Sequence, residues 1–592
     1  MGSVFLIDDP DPERRRRTAR AGARMFSEQH GRDPGTFERA GVSVMWGGGD
    51  HVPVDHHVGA TRETLLLGDV IAGSGPQRTS AADYGSNIRA DPPPCHDGLH
   101  VAIIVSDGEG WMVAADLLGI LPVYFWVGGN VRLVASSPGF FRAFEGFDES
   151  LDEFGLTGLL VIGTLVEGRT LVRGVRRMAA GHAIRASPGA EPREVQQYRV
   201  PISAQHHAVP LEECSHRMHE ALVAACGRHV EEGVPHALLL SGGHDSRLLA
   251  GILARLGRSI SAVTRGEASD NDYRCARRVA RQLGFAHRLV SDGTGTWEGF
   301  QRSIRWQGMD TNPGLGTGGA ATALRGHSRS VSGYVMDAVL GGSNNWWCYS
   351  ERKRECGFDQ YIGKLNQHAV TVDVLRKLLR REVFGNSLDE VLETVHARYR
   401  SEGDTEPERT WRFALRHRQR FHLGVLFVRQ SEVVWPRAPH LDREVLATAG
   451  GIPFGLLGGR LVERDMLVRF HRDLARLPVD RGSDEPAPIE TDFRGLLRDL
   501  PGMFARRVAR KLHLPHPDRR YYEREFSLES AGWHAVRRGA EAARPAAHAL
   551  FDPATYDALI PRVGEPWPAG FRRVDTLGRR LLLGTAAWAA AR

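Results

Sequence analysis

The first third of the chain alternates short apolar stretches with glycine, proline and aspartate. The clearest stretches run from His100 to Val105, from Trp111 to Ala115 and from Val131 to Ala135. Apolar runs of this length between turn-forming residues are typical of β-strands. The pattern therefore predicts a mainly β, layered domain over residues 1–205, with one helix from Arg14 to Gln29.

The pattern changes after a polar stretch from Pro201 to Pro210, which has a proline at each end. Beyond Leu211, longer segments with a helical spacing of apolar residues alternate with short apolar strands. Such alternation is typical of a parallel sheet covered by helices, so we expect an α/β domain over residues 206–482. No strand signal follows, and residues 483–592 are expected to form a helical extension packed on that domain.

Composition narrows the class of protein. With 592 residues, 42% hydrophobic and 25% charged, the chain is long enough for about two to four globular units. Its net charge of +6 is small for this length, so no nucleic-acid partner is expected. The six cysteines show no metal or disulfide pattern, and no apolar run approaches the roughly 18 residues of a membrane helix, so we expect a cytoplasmic protein without membrane contact.

Positive charge is carried almost entirely by arginine. A guanidinium group cannot act as a proton-transfer base near neutral pH, so few cationic side chains can serve in acid–base chemistry. The chain has only four lysines: Lys353, Lys364, Lys377 and Lys511.

A candidate phosphate-binding turn lies between a short apolar strand and a helix start. The strand ends at Leu240, the turn that follows is built of small residues, and a helical spacing of apolar residues begins after it. At such a junction the free backbone N–H groups and the positive helix end bind phosphate oxygens, and Gly242 and Gly243 let the backbone come close. The hydroxyls of Ser241 and Ser246 add donors.

Asp245 adds a carboxylate to this turn and so changes the predicted ligand. It would repel a phosphate unless a cation lay between them, so it predicts bound Mg²⁺. The stretch is not a Walker loop, since no G-x-x-x-x-G-K-[ST] sequence occurs. A turn of the SGGxDS type grips the β,γ-pyrophosphate as leaving group, so we expect ATP as substrate and AMP as product. The alternative is an ordinary Ser/Gly turn that caps a helix.

A second glycine-rich stretch, from Gly314 to Gly319, also fits the pattern G-x-G-x-x-G. It follows Thr311-Asn312-Pro313 and not a strand. Because that fingerprint binds dinucleotides only between a strand and a helix, we interpret this stretch as a loop.

Several separated motifs together resemble the asparagine synthetase family. Ser241 to Ser246 is similar to its SGGxDS loop, Ser332 to Gly342 to its SGxGxDxxxGG segment, and Arg437 to Asp442 to its R-x-P-F-L-D stretch. In the first domain, Asp116 to Tyr124 resembles D-x-x-G-x-x-P-L-Y, and Thr170 to Met178 resembles T-L-x-x-G-V-x-x-L.

The resemblance covers about residues 100–445 and implies a fold and a set of ligands. The implied fold is α+β, with an N-terminal-nucleophile-type β-sandwich domain followed by an ATP-pyrophosphatase-type (PP-loop) parallel-sheet domain. The implied contacts lie in the second domain: Asp245 and Asp337 for Mg²⁺, and Leu239, Ser241, Gly242, Gly243, Ser246, Val263, Ser332 and Gly333 for ATP and its pyrophosphate.

The first domain departs from the family members that take nitrogen from glutamine. Those members expose a cysteine directly after the initiator Met, where its thiol and α-amine act as adjacent nucleophile and base, and this chain has Gly2 there. Ser3 could replace the cysteine only after unusual processing. We therefore expect an inactive glutaminase-like domain and no glutamine hydrolysis.

Tyr334 is a candidate general base. It stands where asparagine synthetases usually have glutamate and resembles the tyrosine of the β-lactam synthetase branch, which works with a glutamate to deprotonate an amine. A phenol with a pKa near 10 needs such a partner, and the sequence does not identify one. The alternative is that Tyr334 packs beneath the loop.

Arg481 is a candidate for stabilising the acyl-transfer transition state. The family uses a lysine downstream of the R-x-P-F-L-D stretch, and no lysine lies between Asp442 and Arg510. Arg481 could replace it, because a fixed cation stabilises developing oxyanion charge. The alternative is a surface arginine.

The chain resembles the lasso peptide cyclases in three features. These are the missing cysteine, the missing ammonia source and the long arginine-rich extension. This resemblance implies that the protein adenylates an Asp or Glu side chain of a precursor peptide, closes a macrolactam with an amine, and releases AMP and pyrophosphate. It implies a leader-binding protein and a leader peptidase as further partners. The alternatives are asparagine synthesis from ammonia, β-lactam-type closure of a small molecule, and a catalytically silent scaffold.

The extension contains three basic pairs that could meet an acidic peptide. The alternative is a solvated helix face. The pairs are Arg506-Arg507, Arg510-Lys511 and Arg519-Arg520.

Overall fold

A computed structural model describes most of the chain. Its residues form two antiparallel sheets, one parallel sheet and a helical C-terminal part. The described residues are 2–72, 77–84, 93–203, 208–291, 295–315, 324, 326–342, 358–366, 369–480, 486–490, 504, 508, 528–567 and 573–592.

The first part of the described chain contains two six-stranded antiparallel sheets. Their strands are β1 Ser3–Asp8, β2 Gly35–Arg39, β3 Val42–Gly47, β4 Val54–Val58, β5 Arg62–Gly68, β6 His100–Ser106, β7 Gly110–Ala115, β8 Tyr124–Gly128, β9 Val131–Ala135, β10 Arg176–Arg177, β11 His182–Ala186 and β12 Arg193–Gln196. The strand orders are β10-β8-β9-β1-β3-β2 and β12-β11-β7-β6-β5-β4.

Strand β6 shows how this layered part is packed. Val101, Ile103 and Val105 belong to the large core of the protein, whereas Ala102 and Ile104 belong to a smaller apolar cluster. Successive side chains of a strand point to opposite faces. The sheet that contains β6 is therefore covered on both faces, which explains why all residues of the strand are buried.

The third sheet is parallel and occupies the second part of the chain. Its strands are β13 His236–Leu239, β14 Ile260–Arg265, β15 Ala286–Val290, β16 Arg329–Val331 and β17 Trp435–Arg437, in the order β15-β14-β13-β16-β17. From β13 the chain adds β14 and β15 on one side, and it then adds β16 and β17 on the other side of β13. Ligands of open α/β sheets bind at such a reversal of strand order, at the carboxyl ends of the strands. The predicted phosphate turn follows β13 directly.

Helices connect and cover these sheets. They are α1 Pro12–His30, α2 Ala81–Tyr84, α3 Glu153–Ile162, α4 Leu211–His229, α5 His244–Arg255, α6 Asn271–Leu283, α7 Trp297–Gln307, α8 Met336–Val339, α9 Phe358–Asn366, α10 Val372–Leu378, α11 Arg381–Phe384, α12 Ser387–Ser401, α13 Glu406–Phe413, α14 Arg420–His422, α15 Gly424–Gln430, α16 Arg443–Gly450, α17 Phe454–Leu457, α18 Leu461–Phe470, α19 Arg472–Ala475, α20 Ala531–Leu550, α21 Pro553–Leu559 and α22 Arg573–Ala590. A π-helical turn, Ala414–Gln419, joins α13 to α14, and 3₁₀ turns occur at Pro138–Ala143, Pro439–Leu441 and Gly458–Arg460.

The succession of an antiparallel-sheet domain and a parallel-sheet domain confirms the prediction from the apolar pattern. The predicted helix from Arg14 to Gln29 is α1, and the three predicted strands in the first domain are β6, β7 and β9. The domain limits at residues 205 and 482 stay predictions, as do the nucleophile-type and pyrophosphatase-type classes of the two domains.

The C-terminal helices pack against α7. The ring of Trp533 in α20 lies 5.7 Å from that of Phe300 in α7, measured between centroids. Gln301 of α7 donates a hydrogen bond of 3.4 Å to the carbonyl of Ala587 in α22. The three basic pairs between Arg506 and Arg520 lie outside the described residues.

Two ion-pair groups join the edge of the parallel sheet to the first domain. Arg437, at the end of the edge strand β17, pairs with Asp69 after β5 and with Glu231 after α4, the latter at 2.6 Å. Arg443 donates to Asp97 from its backbone at 2.8 Å and from Nε at 2.9 Å. These contacts fix the stretch from Arg437 to Asp442 between the two domains.

A buried carboxylate fixes the end of α12. Glu402 accepts two hydrogen bonds from Arg416 at 2.8 and 2.9 Å and one from His417 at 2.8 Å. Burial alone would raise the pKa of Glu402, but the hydrogen bonds and charges of His417 and Arg416 outweigh it and lower the pKa to about 2. The folded protein therefore favours the ionised form of this group.

We expect this carboxylate to contribute to acid denaturation. Its pKa is lower in the folded than in the unfolded chain, so its stabilising effect is present above pH 4.5 and is lost as the pH falls toward 2. The shift corresponds to roughly 3 kcal/mol. Urea unfolding at several pH values should show a smaller loss over this window for Glu402→Gln than for the wild type. Equal losses would contradict the assignment.

Within the described ranges, no single helix has both the length and the apolar character needed to cross a membrane. One bent pair, Arg443–Gly450 with Phe454–Phe470, meets the length and composition criteria jointly, with a bend of 110°.

Candidate active site

The predicted phosphate turn has the expected position between strand and helix. Strand β13 ends at Leu239, and α5 begins at His244 with Gly243 as its N-cap. The hydroxyl of Ser246 accepts a hydrogen bond from the backbone of Ser241 and lies 3.2 Å from the Ser241 hydroxyl. The two serines therefore close the turn on itself at the amino end of α5.

Gly242 has a backbone conformation that side chains rarely adopt, with φ of +72°. A Cβ atom at this position would lie 2.4 Å from Cβ of Cys275 and 2.7 Å from the backbone nitrogen of Ala276, both in α6. Gly243 differs, because its φ is −72° and the nearest atom to an added Cβ would be 3.4 Å away. Only Gly242 is therefore required by the backbone of the turn.

Arg247 holds the phosphate turn in place, a role that no sequence pattern predicted. Its side chain is fully buried and donates to the carbonyls of Gly242 at 3.0 Å, Leu474 and Leu477 at 2.8 Å, and Pro478 at 2.6 Å. Four carbonyl acceptors satisfy much of the hydrogen-bonding capacity of one guanidinium. Arg247 therefore links the phosphate turn to the segment that leads toward Arg481, which itself lies outside the described residues.

A cavity of about 290 Å³ opens at the carboxyl ends of the parallel strands. It brings together nine of the predicted site residues: Leu239, Ser241, Asp245, Ser246, Val263, Ser332, Gly333, Tyr334 and Asp337. Gly242 and Gly243 lie in the adjoining turn. Leu240, Thr264, Arg265, Asp272, Leu423, Leu426 and Arg460 complete the lining.

The two predicted metal ligands lie close together across this cavity. An added Cβ at Gly333 would lie only 2.8 Å from Cβ of Asp245, so the segment that carries Asp337 approaches the phosphate turn directly. Burial raises the pKa of Asp337, and the nearby charge of Asp245 raises it further. The positive charges of Arg460 and Arg418 oppose this rise but do not cancel it.

Arg460 and Glu463 are functional candidates that sequence reasoning missed. Nη1 of Arg460 lies 3.0 Å from each carboxylate oxygen of Asp245 and 2.8 Å from Glu463. Glu463 is fully buried, and burial together with the charge of Asp245 raises its pKa to about 8. The one available signal was the pair Gly458-Gly459 directly before Arg460, which marks a sharp turn but not its place in the fold.

These residues fit a divalent cation bound together with phosphate. Within the described chain, Ser332 Oγ, Asp337 Oδ1 and Glu463 Oε1 are buried without a hydrogen-bond partner. No group of three or more His, Cys, Asp or Glu side chains in the described ranges is arranged to hold a metal ion alone. Mg²⁺ commonly takes only one or two protein carboxylates and completes its shell with phosphate and water. Asp245 and Asp337 can supply such a pair.

Tyr334 lies on the cavity wall and also packs against α15. Its ring is 5.9 Å from that of Phe427, in an edge-on arrangement, and its carbonyl accepts a hydrogen bond of 2.6 Å from His440. Burial lowers the pKa of His440 to about 4, so this histidine is neutral near pH 7. Tyr334 therefore both packs against a neighbouring helix and lines the cavity. Its role as a base stays a prediction.

The cavity is apolar on the side formed by the strand ends. Leu239 and Val263 are paired in register across β13 and β14, and Leu423 and Leu426 also line the cavity. A flat aromatic base gains from apolar surface together with backbone polar groups. This half of the cavity is therefore the one suited to an adenine ring.

Comparison with known proteins shows that the second domain is similar to asparagine synthase. Residues 217–478 match the family model described as asparagine synthase. The amidase chyE of Penicillium rubens is 27% identical over 248 residues, which are 37% of this chain and 35% of that protein. The chain thus spans about a third of the length of this curated relative.

Two solved structures align with low scores. An allosteric regulatory enzyme of purine biosynthesis aligns with a TM-score of 0.22 and 11% identity, over 50% of this chain and 65% of that one. Glutamine phosphoribosylpyrophosphate amidotransferase from B. subtilis, complexed with ADP and GMP, aligns with a TM-score of 0.19 and 12% identity, over 56% and 74%. Neither alignment carries an argument about this chain.

Proposed function

Because residues 217–478 carry an asparagine synthase domain, which supports an ATP-dependent carbon–nitrogen ligase, we propose that the whole protein activates a carboxylate as an acyl-adenylate and joins it to an amine. The observation that carries the proposal is the single cavity that gathers the phosphate turn, Asp245, Asp337 and Tyr334. The products are AMP, pyrophosphate and an amide.

In the first step an oxygen of the substrate carboxylate attacks the α-phosphorus of ATP. The bond from this phosphorus to the bridging oxygen breaks, and pyrophosphate leaves with the electron pair. The backbone and hydroxyls of Ser241 to Ser246 receive it. Asp245 and Asp337 would hold Mg²⁺, which supplies neutralisation of the triphosphate charge.

In the second step the amine nitrogen attacks the acyl carbon. The bond between this carbon and the phosphate oxygen breaks, AMP leaves, and the amine loses a proton. Tyr334, in its phenolate form, is the side chain that we assign to accept that proton. A general base at this point contributes on the order of 10² to 10⁴ in rate.

We propose that the substrate is a precursor peptide, in which an Asp or Glu side chain and an amine close a macrolactam. Gly2 is packed so closely that an added Cβ would lie 2.6 Å from Leu67 and 2.8 Å from Val52, and Ser3 is fully buried. This packing leaves no room for a side-chain nucleophile at Gly2, which supports a reaction whose amine is not released from glutamine in this domain. A leader-binding protein, a leader peptidase and a cytoplasmic location belong to the same proposal.

Incubation with ATP, Mg²⁺ and candidate substrates tests the proposal. A precursor peptide that loses the mass of one water, with AMP formed in equal amount, supports the cyclase. Asparagine formed from aspartate and ammonia would favour the synthase alternative, and ring closure of a small amino acid the β-lactam alternative. Consumption of no ATP with any substrate would favour a scaffold and contradict the proposal.

Tyr334→Phe should separate the two half-reactions. Loss of the hydroxyl should lower amide formation about 10²-fold, because the attacking amine then lacks its base. Exchange of labelled pyrophosphate into ATP, which reports adenylation alone, should persist. Tyr556→Phe, a buried tyrosine of α21 that stacks on Phe551, is the matched control. An equal fall in both reactions would assign Tyr334 to packing instead.

A further inference from the structure

Arg460 enters the cavity through an unusual backbone turn. Gly459 and Arg460 both have left-handed conformations, with φ of +65° and +60°. For a residue with a side chain this conformation costs about 1–2 kcal/mol. Strain of this kind persists where the surrounding structure requires it and is concentrated at functional sites. The turn places the guanidinium on the cavity wall, before α18 begins.

The contacts of Arg460 use only part of its guanidinium. All three hydrogen bonds, two to Asp245 and one to Glu463, come from Nη1. A guanidinium has five N–H donors in a fixed plane, which suits it to bind phosphate through two parallel bonds. Because Arg460 lines the cavity, its Nη2 and Nε donors remain available to an anion bound there.

The pairing with Asp245 also has a consequence for metal binding. Both carboxylate oxygens of Asp245 face the same guanidinium nitrogen at 3.0 Å. A divalent cation bound to Asp245 needs at least one of these oxygens. The guanidinium and the cation therefore compete for the lone pairs of Asp245, which favours release of the guanidinium when the metal–nucleotide complex binds.

We propose that Arg460 is a pyrophosphate-binding residue, which pairs with Asp245 in the absence of nucleotide and transfers to the β- and γ-phosphate oxygens when the metal–nucleotide complex binds. The proposal rests on the function proposed above. Glu463 is the positioning residue, because its bond to Arg460 at 2.8 Å keeps the guanidinium beside the cavity during the exchange.

The proposed role of Arg460 fits the movement of negative charge during adenylation. When the bond between the α-phosphorus and the bridging oxygen breaks, the electron pair passes to the departing pyrophosphate. A guanidinium already in place stabilises that charge without reorganisation. The guanidinium of Arg460 thus neutralises Asp245 before the reaction and the leaving group during it.

Two binding measurements on Arg460→Met test this role without measuring turnover. Binding of Mn²⁺ alone, followed by the electron paramagnetic resonance signal of the free ion, should tighten several-fold, because the competing guanidinium is gone. Binding of inorganic pyrophosphate in the presence of Mg²⁺, followed by calorimetry, should weaken about 10- to 100-fold, as expected for loss of a charged, forked pair of hydrogen bonds. Arg464→Met, an exposed arginine on α18, should change neither.

The opposite directions of the two effects distinguish this role from a structural one. If Mn²⁺ and pyrophosphate both bind more weakly to Arg460→Met, the residue only supports the fold of the site, and the proposal is overturned. Unchanged pyrophosphate affinity also overturns it. If the wild type binds neither ATP nor pyrophosphate, the proposed function itself fails, independently of Arg460.

A second variant retains the positive charge, so it separates loss of phosphate binding from a folding defect. Arg460→Lys keeps a cation but loses the forked donor set. Its affinity for pyrophosphate should lie between those of the wild type and Arg460→Met. Any other order of the three affinities contradicts the proposal.

Discussion

Replacing Asp245 with alanine should lower the rate of AMP formation on the order of 10²-fold or more, the effect of losing one preorganised electrostatic group. Asp245 is the carboxylate of the phosphate turn and lies beside Asp337 across the cavity. In the proposed mechanism, the metal–nucleotide complex then loses one of its two protein ligands. The effect is measured as the rate of AMP release from labelled ATP, in the presence of a substrate that the wild type converts.

The same variant should remain folded. Arg460 keeps its bond to Glu463, and the pKa of Glu463 should fall, because the charge of Asp245 is one of the causes that raise it. Asp389→Ala, an exposed aspartate on α12, is the matched control. Near-normal turnover in Asp245→Ala would contradict the metal role, and ADP as the product of the wild type would contradict the reaction class.

The second large effect is expected for Gly242→Ala. The left-handed φ of +72° costs a residue with a side chain about 1–2 kcal/mol, and the contact with Cys275 and Ala276 adds a comparable cost of overpacking. We therefore expect a loss of about 3 kcal/mol in the free energy of unfolding, together with loss of pyrophosphate binding. Urea denaturation and calorimetry measure the two effects.

Gly243→Ala is the control for this prediction. It adds the same methyl group to the next residue, where φ is −72° and the nearest atom lies 3.4 Å away. Its unfolding free energy should change by less than about 1 kcal/mol. Similar destabilisation by both substitutions would show that the backbone of Gly242 is not the cause.

Much of the fold could be predicted because apolar spacing records which face of an element is buried. The strands β6, β7 and β9 and the helix α1 lie where the pattern placed them, to within two residues at each end. The order of strands could not be predicted in this way, because the pairing of β13 with both β14 and β16 is set by contacts between distant segments.

The candidate site shows the same division. The phosphate turn was recognisable because its residues are contiguous, and Asp337 was recognisable through a resemblance between motifs. Arg460 and Asp245 are 215 positions apart, and no local pattern connects them. Arg247 was missed for a different reason, since an arginine near the start of a helix is ordinarily exposed, and only tertiary packing makes it a buried donor to four carbonyls.

The first domain covers β17, the edge strand of the parallel sheet. This strand is the edge of the parallel sheet and contains Pro436, which lacks a backbone donor, in register with Ser330. Its Trp435 ring is packed so close to Gly68 that an added Cβ there would lie 2.5 Å from it. Exposed sheet edges recruit strands from other molecules and lead to aggregation. The first domain can thus act as a cover that keeps this edge of the parallel sheet from pairing with another molecule.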